Sequence, residues 1–162
     1  CNYGLNELKS ALKNFNLVSN QIPFSMVRRE YENEVIPYCK ENSIAILAYS
    51  PLQRGLLTGK ITESYIFEKG DSRASNPYFK KENIAKVNNF LKSIKSIADD
   101  RGITFGQLVI NWTIQRDGIT AALVGARNEK QVEDNVKASD FMLTREEIDF
   151  INKKLYDLKL EL

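Results

Sequence analysis

The stretch of residues 125–135 carries the strongest chemical signal in the sequence, because it combines groups that bind phosphate. Gly125 follows an apolar, strand-like run and allows the backbone to approach a ligand closely. Arg127 comes next, beside Asn128, whose side chain suits the first position of a helix. An arginine at a helix N-terminus is a good receptor for a phosphate group. Asn128 and Gln131 also form a capping-box-like pattern, which needs no ligand, so both interpretations stand.

Two kinds of chemistry are excluded by the residues present. The chain has no histidine, which excludes Ser-His-Asp and Cys-His nucleophiles, histidine bases and histidine-ligated metals. Residues 55–60 resemble a nucleotide-binding P-loop, but three residues instead of four separate the glycines. Ile61 also stands where that motif requires Ser or Thr, so the P-loop interpretation is rejected.

Composition indicates an ordinary soluble domain. The 162 residues are 43% hydrophobic and 27% charged, with a net charge of +2, which points to no nucleic-acid or anionic-membrane partner. Cys1 and Cys39 form no metal-ligand spacing or disulfide framework and fit a reducing compartment. No apolar run approaches the roughly 20 residues that span a bilayer. We therefore expect a cytoplasmic protein without a metal site.

Three short runs have the composition of β-strands, at residues 17–22, 44–49 and 119–124. The second and third are almost continuously apolar, which is typical of parallel strands covered on both faces. Amphipathic helical patterns alternate with them, including one stripe over residues 84–97 that Gly102 ends, and one through Val132 and Val136. Thr144 and Glu147 form a capping box that starts the last helix. Residues 62–81 show no period and are predicted to be a long, functional or mobile loop.

The resulting order, α-β-α-β-loop-α-α-β-α-α, predicts an α/β fold with a parallel sheet. Three strands leave two sheet edges with unpaired backbone groups, which intact proteins cover or close. A complete eight-stranded barrel needs about 250 residues, so a chain of this length cannot contain one.

Three ordered motifs carry a family resemblance. They are Val-Ser-Asn-Gln-Ile-Pro-Phe-Ser at 18–25, Ala-Tyr-Ser-Pro-Leu-Gln-Arg-Gly-Leu-Leu-Thr-Gly-Lys at 48–60, and Val-Gly-Ala-Arg-Asn at 124–128 with Gln131 and Asn135. Together they resemble the aldo-keto reductases over residues 1 to about 151. The resemblance implies a TIM (β/α)8 barrel of which residues 1–162 form the C-terminal half, with strands six to eight and with residues 62–81 near the active-site face.

The resemblance also implies what the chain holds and what it lacks. The catalytic Asp, Tyr, Lys and His of the family lie in the other half of the barrel, and no position here matches them, so no catalytic residue is assigned. The NADP(H) site belongs to this half. The matching positions for cofactor contacts are Asn2, Gln21, Tyr49, Ser50, Leu52, Gly55, Gly125, Arg127, Gln131 and Asn135.

Each assignment has a structural alternative. Tyr49 ends a strand, where its ring would stack on nicotinamide, but strand-end tyrosines more often pack in a core. The amides of Asn2 and Gln21 suit the nicotinamide carboxamide, whereas turn hydrogen bonding also explains Asn2. Ser50, Leu52 and Gly55 match the family's pyrophosphate loop. Gln131 and Asn135 would meet adenine.

Four departures from the family pattern bear on these assignments. Cys1 replaces a serine, Gln53 a frequent glycine, Val124 a proline, and Asp134 a frequent glutamate with a longer reach. The Gln53 and Asp134 changes predict a stiffer phosphate loop and a weaker adenosine contact, respectively.

These observations support an NADP(H)-binding half of an enzyme that reduces aldehydes or ketones, with the missing half-barrel as its partner. The alternative is a non-catalytic nucleotide-binding or structural module that pairs with a second copy to cover its open edges. A small flavodoxin-like domain does not account for the ordered motifs.

Overall fold

A parallel sheet of three strands lies at the centre of the computed structural model, which describes residues 1–162. The strands are β1 (Ser19–Pro23), β2 (Ala45–Tyr49) and β3 (Ala121–Leu123), in the order β1-β2-β3. The register aligns Gln21, Leu47 and Ala121 across the sheet, and aligns Tyr49 with both Pro23 and Leu123. The carboxyl ends of all three strands therefore meet at one edge.

Seven helices surround the strands. They are α1 (Leu5–Ala11), α2 (Val35–Glu41), α3 (Lys81–Ser93), α4 (Lys95–Arg101), α5 (Phe105–Ile114), α6 (Glu129–Val136) and α7 (Arg145–Asp157). Short 3-10 segments occupy Gln53–Thr58, Pro77–Phe79 and Lys137–Ser139. None of the helices is both long and apolar enough to cross a membrane.

The prediction of a single helix over residues 84–97 is wrong in one respect, because the structure divides this segment into α3 and α4. Ile94 leaves the helical conformation, with φ −109° and ψ 8°. Ile84, Ile94 and Ile97 nevertheless remain buried in one core. Since the apolar spacing continues through the break, the pattern alone does not reveal it.

The predicted helix boundaries at Gly102 and Thr144 are confirmed. Gly102 ends α4 with φ 63°, a conformation that glycine adopts without strain. Thr144 Oγ1 accepts a hydrogen bond from the Glu147 N–H at 3.2 Å, and the Glu147 carboxylate accepts one from the Thr144 N–H at 2.7 Å. This reciprocal pair satisfies two N–H groups that the start of α7 would leave unpaired.

The core lies on one face of the sheet. Ile22, Ile46 and Ala48 point to this face and are buried in a single cluster of 27 residues. Trp112 on α5 is fully buried and its ring is parallel to that of Phe24, with 6.1 Å between centroids. Burial of large apolar side chains against this face is the main stabilisation of the fold.

The opposite face of the sheet is open. Gln21, Leu47 and Tyr49 on this face are only partly buried, and Leu123 is 39% exposed. Helix α6 has no buried residue, so Val132 and Val136 form the predicted helix but lie exposed to solvent. No part of this chain covers this sheet face or the exposed valines of α6.

The free edge of β1 is occupied by the first residues of the chain. The N–H of Asn2 donates to the carbonyl of Gln21 at 2.8 Å. The buried side chain of Asn20 makes two hydrogen bonds to the backbone of Tyr3, at 3.2 and 2.9 Å. Residues 1–3 therefore lie along the edge of β1 without forming a strand of the sheet.

Candidate functional site

A cleft of about 750 Å³ opens at the carboxyl ends of β2 and β3. Eight of the ten residues proposed from the sequence line it. They are Tyr49, Ser50, Leu52, Gly55, Gly125, Arg127, Gln131 and Asn135. Residues distant in sequence thus converge on one cavity, at the end of the sheet where parallel α/β folds place their ligands.

One wall of the cleft is the loop after β2, whose backbone is strained. Ser50, Gln53 and Arg54 have φ values of 56°, 45° and 54°, in the left-handed region, and Gly55 has φ 95°. Each non-glycine residue there costs on the order of 1 kcal/mol, and such strain tends to cluster at ligand sites. The N–H groups of Ser50 and Leu52 have no acceptor within the protein. The loop therefore has two backbone donors without a partner in the protein.

Gln53 illustrates the cost of departing from the family pattern. Its φ of 45° explains why glycine is frequent there, since glycine adopts this conformation freely. The Gln53 side chain is buried, and its Oε1 lies 3.4 Å from the hydroxyl of Ser25. The side chain thus contacts the segment after β1, and the stiffening of the loop stays a prediction.

The facing wall is the start of α6. Asn128 Oδ1 accepts a hydrogen bond from the Gln131 N–H at 3.0 Å, and Gln131 Oε1 accepts one from the Arg127 N–H at 2.8 Å. The capping interpretation is therefore correct for these side chains. The same geometry fixes the helix N-terminus and leaves the Arg127 guanidinium exposed, without an ion pair, at the cleft.

The cleft has an excess of positive charge. Four cationic and two acidic side chains line it. Of the cations, only Arg73 forms an ion pair, with Asp71 at 2.6 Å, so Arg54, Lys60 and Arg127 remain uncompensated. This balance favours an anionic ligand.

Residues 62–81 contribute Tyr65, Asp71 and Arg73 to the cleft. The Arg73 guanidinium donates to the carbonyl of Arg54 at 3.3 Å and lies 5.8 Å from the centre of the Tyr65 ring. Arg54 in turn donates to the Ser72 hydroxyl at 2.6 Å. These contacts fasten the long segment to the strained loop, a role that the sequence analysis did not assign to either arginine.

Hydrogen bonds from the Arg73 side chain and backbone lower the pKa of Asp71 to about 2. Because the folded-state pKa lies below the unfolded value of about 4, the stabilisation is complete above pH 4 and is lost as the pH falls towards 2. We expect a carboxyl-carbon NMR titration to place the Asp71 midpoint near 2, and to raise it towards 4 in Arg73→Gln. A midpoint near 4 in the parent protein would contradict the ion pair.

Asn2 and Gln21 lie outside the residues that line the cleft. Gln21 lies on the same open sheet face as Tyr49. It is aligned with Leu47, two residues before Tyr49 in β2. Asn2 is joined to Gln21 through the backbone hydrogen bond described above and has φ 59°. Gln21 therefore lies on the same sheet face as Tyr49, and Asn2 is linked to it only through the backbone.

The side chain of Gln107 on α5 contacts α6, which was not predicted from the sequence. Its Nε2 donates to the carbonyl and to Oδ1 of Asp134 on α6, at 3.1 and 2.8 Å. Its Oε1 accepts from the Thr104 N–H at 2.9 Å in a second capping box. The Thr-x-x-Gln spacing at 104–107 was the available signal.

Comparison with known proteins shows the family of this chain. The sequence model of the Aldo/keto reductase family matches residues 1–155. The chain belongs to the aldo/keto reductase family. This aldo/keto reductase chain is 35% identical over 124 residues to the NADH-specific methylglyoxal reductase of Escherichia coli, covering 76% of the chain and 37% of that relative. It is 36% identical over 133 residues to the aldo-keto reductase YhdN of Bacillus subtilis, covering 82% and 40%.

A solved structure extends the family likeness to the fold. The glycerol dehydrogenase of Gluconobacter oxydans superposes with a TM-score of 0.89 at 28% identity, over 97% of this chain and 48% of that one. The three parallel strands and their helices therefore form part of a (β/α)8 barrel, as predicted. The aldo/keto reductase chain spans about two fifths of the length of the curated relatives above and about half of the dehydrogenase.

Proposed function

We propose that this chain is the NADP(H)-holding half of an aldo-keto reductase. The observation that carries the proposal is the single cleft in which Tyr49, the strained loop after β2 and the start of α6 meet. Each of the three suits a different part of a dinucleotide: a flat aromatic ring, free backbone donors, and a cation at a helix N-terminus. An excess of positive charge suits the phosphates.

Different residues along the cleft would contact different parts of the dinucleotide. The Tyr49 ring would stack on nicotinamide, whose carboxamide would meet the side chains of Asn2 and Gln21. The free N–H groups of Ser50 and Leu52 would donate to the pyrophosphate, beside Gly55.

Arg127 and the N-terminus of α6 would bind the 2′-phosphate. The amide of Asn135 and the free Nε2 of Gln131 would then face the adenine. Arg127 is the reason for preferring NADP(H) over NAD(H). The relatives differ on this point, since the Escherichia coli reductase is NADH-specific by name and an aldo-keto reductase of Schizosaccharomyces pombe is named for NADP(+).

The bound dinucleotide would supply hydride to the carbonyl carbon of an aldehyde or ketone. A small substrate is supported by two relatives, a methylglyoxal reductase and a glycerol dehydrogenase. This chain's residues would bind and orient the cofactor, and the segment 62–81 would shape part of the substrate pocket. The proton donor would come from the missing half-barrel. The two free thiols support a reducing compartment, and we propose the cytoplasm.

We expect the chain by itself to show no carbonyl reduction. It has no histidine and none of the family's catalytic positions, so no group is placed to protonate the carbonyl oxygen. The assay follows NADPH absorbance with a reactive aldehyde against a no-protein control. Oxidation well above that control would refute this expectation.

Replacement of Gly125 by alanine separates ligand contact from folding. A Cβ at this position would meet no protein atom within 4 Å, and the glycine φ is not positive. The melting temperature is therefore expected to change little or to rise slightly. NADPH binding should weaken several-fold, because the methyl group would occupy space at the cleft. Unchanged NADPH affinity by calorimetry would argue against close approach of the ligand here.

The open face of the sheet favours a second candidate, a non-catalytic nucleotide-binding or structural module that pairs with its own copy. On this face Leu123 is 39% exposed, and Gln21 and Leu47 are only partly buried. Sedimentation equilibrium distinguishes the two: a stable dimer of this chain supports the module, whereas a monomer that associates with the other half-barrel supports the enzyme.

A further inference from the structure

Asn83 in the first turn of α3 is fully buried, and its amide joins two distant parts of the chain. Its Nδ2 donates to the carbonyl of Pro77 at 2.8 Å and to that of Glu161 at 3.0 Å. Its Oδ1 accepts a hydrogen bond from the Glu161 N–H at 2.9 Å. Both amide N–H groups and the amide oxygen are therefore used. The side chain links the end of segment 62–81 to residues 158–162, which we name the clasp.

The clasp is itself held on the fold by apolar contacts. Leu158 and Leu160 are partly buried and pack against the core. The Glu161 carboxylate pairs with Lys86 Nζ at 2.7 Å, but this ion pair is exposed and contributes little in water. The backbone hydrogen bonds of Glu161 to buried Asn83 are thus the main tie between the clasp and the segment, since hydrogen bonds shielded from water are stronger.

A cluster of aromatic rings connects the end of the segment to the cleft. The buried ring of Phe79 meets the Phe67 ring edge-on, with 5.7 Å between centroids. The Phe67 and Tyr65 ring centroids are 5.0 Å apart, and the Arg73 guanidinium lies 5.4 Å from the centre of the Phe67 ring. Because Tyr65 and Arg73 line the cleft, the cleft wall depends on where Asn83 holds the end of the segment.

We propose that Asn83 is a positioning residue for dinucleotide retention: by joining segment 62–81 to the clasp, it holds this segment against the cleft and slows release of the bound dinucleotide. The inference rests on the proposed function and adds a residue that controls the site without touching the ligand. Apart from the 3-10 turn at Pro77–Phe79, the segment before α3 has no regular structure, so a small number of contacts keeps it in place. Loss of the contact at Asn83 frees the end of the segment and opens one wall of the cleft.

Deletion of Glu161 and Leu162 removes the contacts of the clasp to Asn83 and leaves the core residues unchanged. In the ligand-free chain, we expect amide hydrogen exchange in residues 62–79 to speed up about ten-fold, because opening exposes amides that bond within the segment. Exchange in α5 should stay within about two-fold of the parent. Stopped-flow dilution of the NADPH-loaded variant should show dissociation about ten-fold faster, since loss of one wall acts mainly on the off-rate.

Two variants provide matched controls. Deletion of Leu162 alone removes a side chain that is 65% exposed, and it keeps Glu161. Glu161→Gln removes the charge that pairs with Lys86 and keeps the backbone contacts. Both should leave exchange and NADPH dissociation within about two-fold of the parent, because neither touches the Asn83 hydrogen bonds. Asn83→Ala should behave like the double deletion, with a further loss of stability from the cavity it leaves.

Equal acceleration of exchange in α5 and in residues 62–79 would mean that the clasp stabilises the whole chain, and would overturn the proposal. Unchanged exchange in residues 62–79, or faster exchange there with unchanged NADPH dissociation, overturns it as well. In each of these cases a parent chain that binds NADPH keeps the proposed function. A folded parent chain that binds no NADPH contradicts the proposed function, and with it the role of Asn83 in retention.

Discussion

Replacement of Trp112 by alanine is expected to lower the free energy of unfolding by about 3–5 kcal/mol. Trp112 is fully buried, and its ring lies parallel to that of Phe24. Its indole N–H donates to Asn152 Oδ1 on α7 at 3.1 Å, and the Arg116 guanidinium lies 5.1 Å from the ring centre. The substitution removes contacts to three parts of the chain and leaves a large cavity.

Loss of Trp112 should also affect the cleft, because α5 carries Trp112 near one end and Gln107 near the other. Urea unfolding followed by far-ultraviolet circular dichroism measures the loss without relying on tryptophan fluorescence. Trp112→Phe keeps an aromatic ring beside Phe24 but loses the hydrogen bond to Asn152, so it should cost less than Trp112→Ala. A loss below 1 kcal/mol in Trp112→Ala would contradict the central place of this residue in the core.

Reversal of charge at Arg127 is expected to weaken NADPH binding roughly a hundred-fold, equivalent to about 2.7 kcal/mol. Arg127→Glu removes a charge-assisted hydrogen bond to the 2′-phosphate and adds a repulsive carboxylate. Arg127→Ala, which removes only the attraction, should lose about ten-fold. NADH binding should change little in either variant, because NADH has no 2′-phosphate.

Lys130→Glu provides the matched control for Arg127→Glu. It makes the same charge change in the first turn of α6, on an exposed residue that does not line the cleft. We expect NADPH affinity to change by less than about three-fold in this variant. Equal losses in the two variants would mean that the general charge of the helix, and not contact with Arg127, attracts the dinucleotide.

Strands and helix boundaries were largely predictable from local chemistry. All three strands form within the predicted runs or within one residue of them, because apolar residues of strand length specify buried strands. Strand β3 is shorter than predicted, at Ala121–Leu123, since it pairs only with β2 and over only three residues. The end of α4 at Gly102 and the start of α7 at Thr144 followed from residues with a direct backbone role.

Other features depend on tertiary contacts that no local pattern shows. Ser50, Gln53 and Arg54 have left-handed conformations although none of them is glycine, so their residue types do not predict these conformations. The link from Arg73 to the Arg54 carbonyl joins residues 19 positions apart. In a loop without periodicity, such pairing is set by the folded chain alone.

Two separate inferences from the sequence predicted that the cleft residues lie close together. The strand order places the ends of β2 and β3 side by side, and the motif resemblance identified the residues at those ends. Gln107 escaped notice because its side chain reaches a helix 27 positions away, although its capping-box spacing was visible. The capping role of Gln131 was visible in the spacing, whereas the exposed setting of Arg127 was not.

Calorimetric titration with NADPH of the 162-residue chain shows whether this half of the barrel binds the cofactor. We expect saturable binding with a micromolar dissociation constant, since the phosphate loop, Tyr49 and the start of α6 are all present in this chain. Circular dichroism on the same sample establishes that the chain is folded. Absence of binding by a folded chain at millimolar NADPH would contradict the claim that this half of the barrel holds the cofactor.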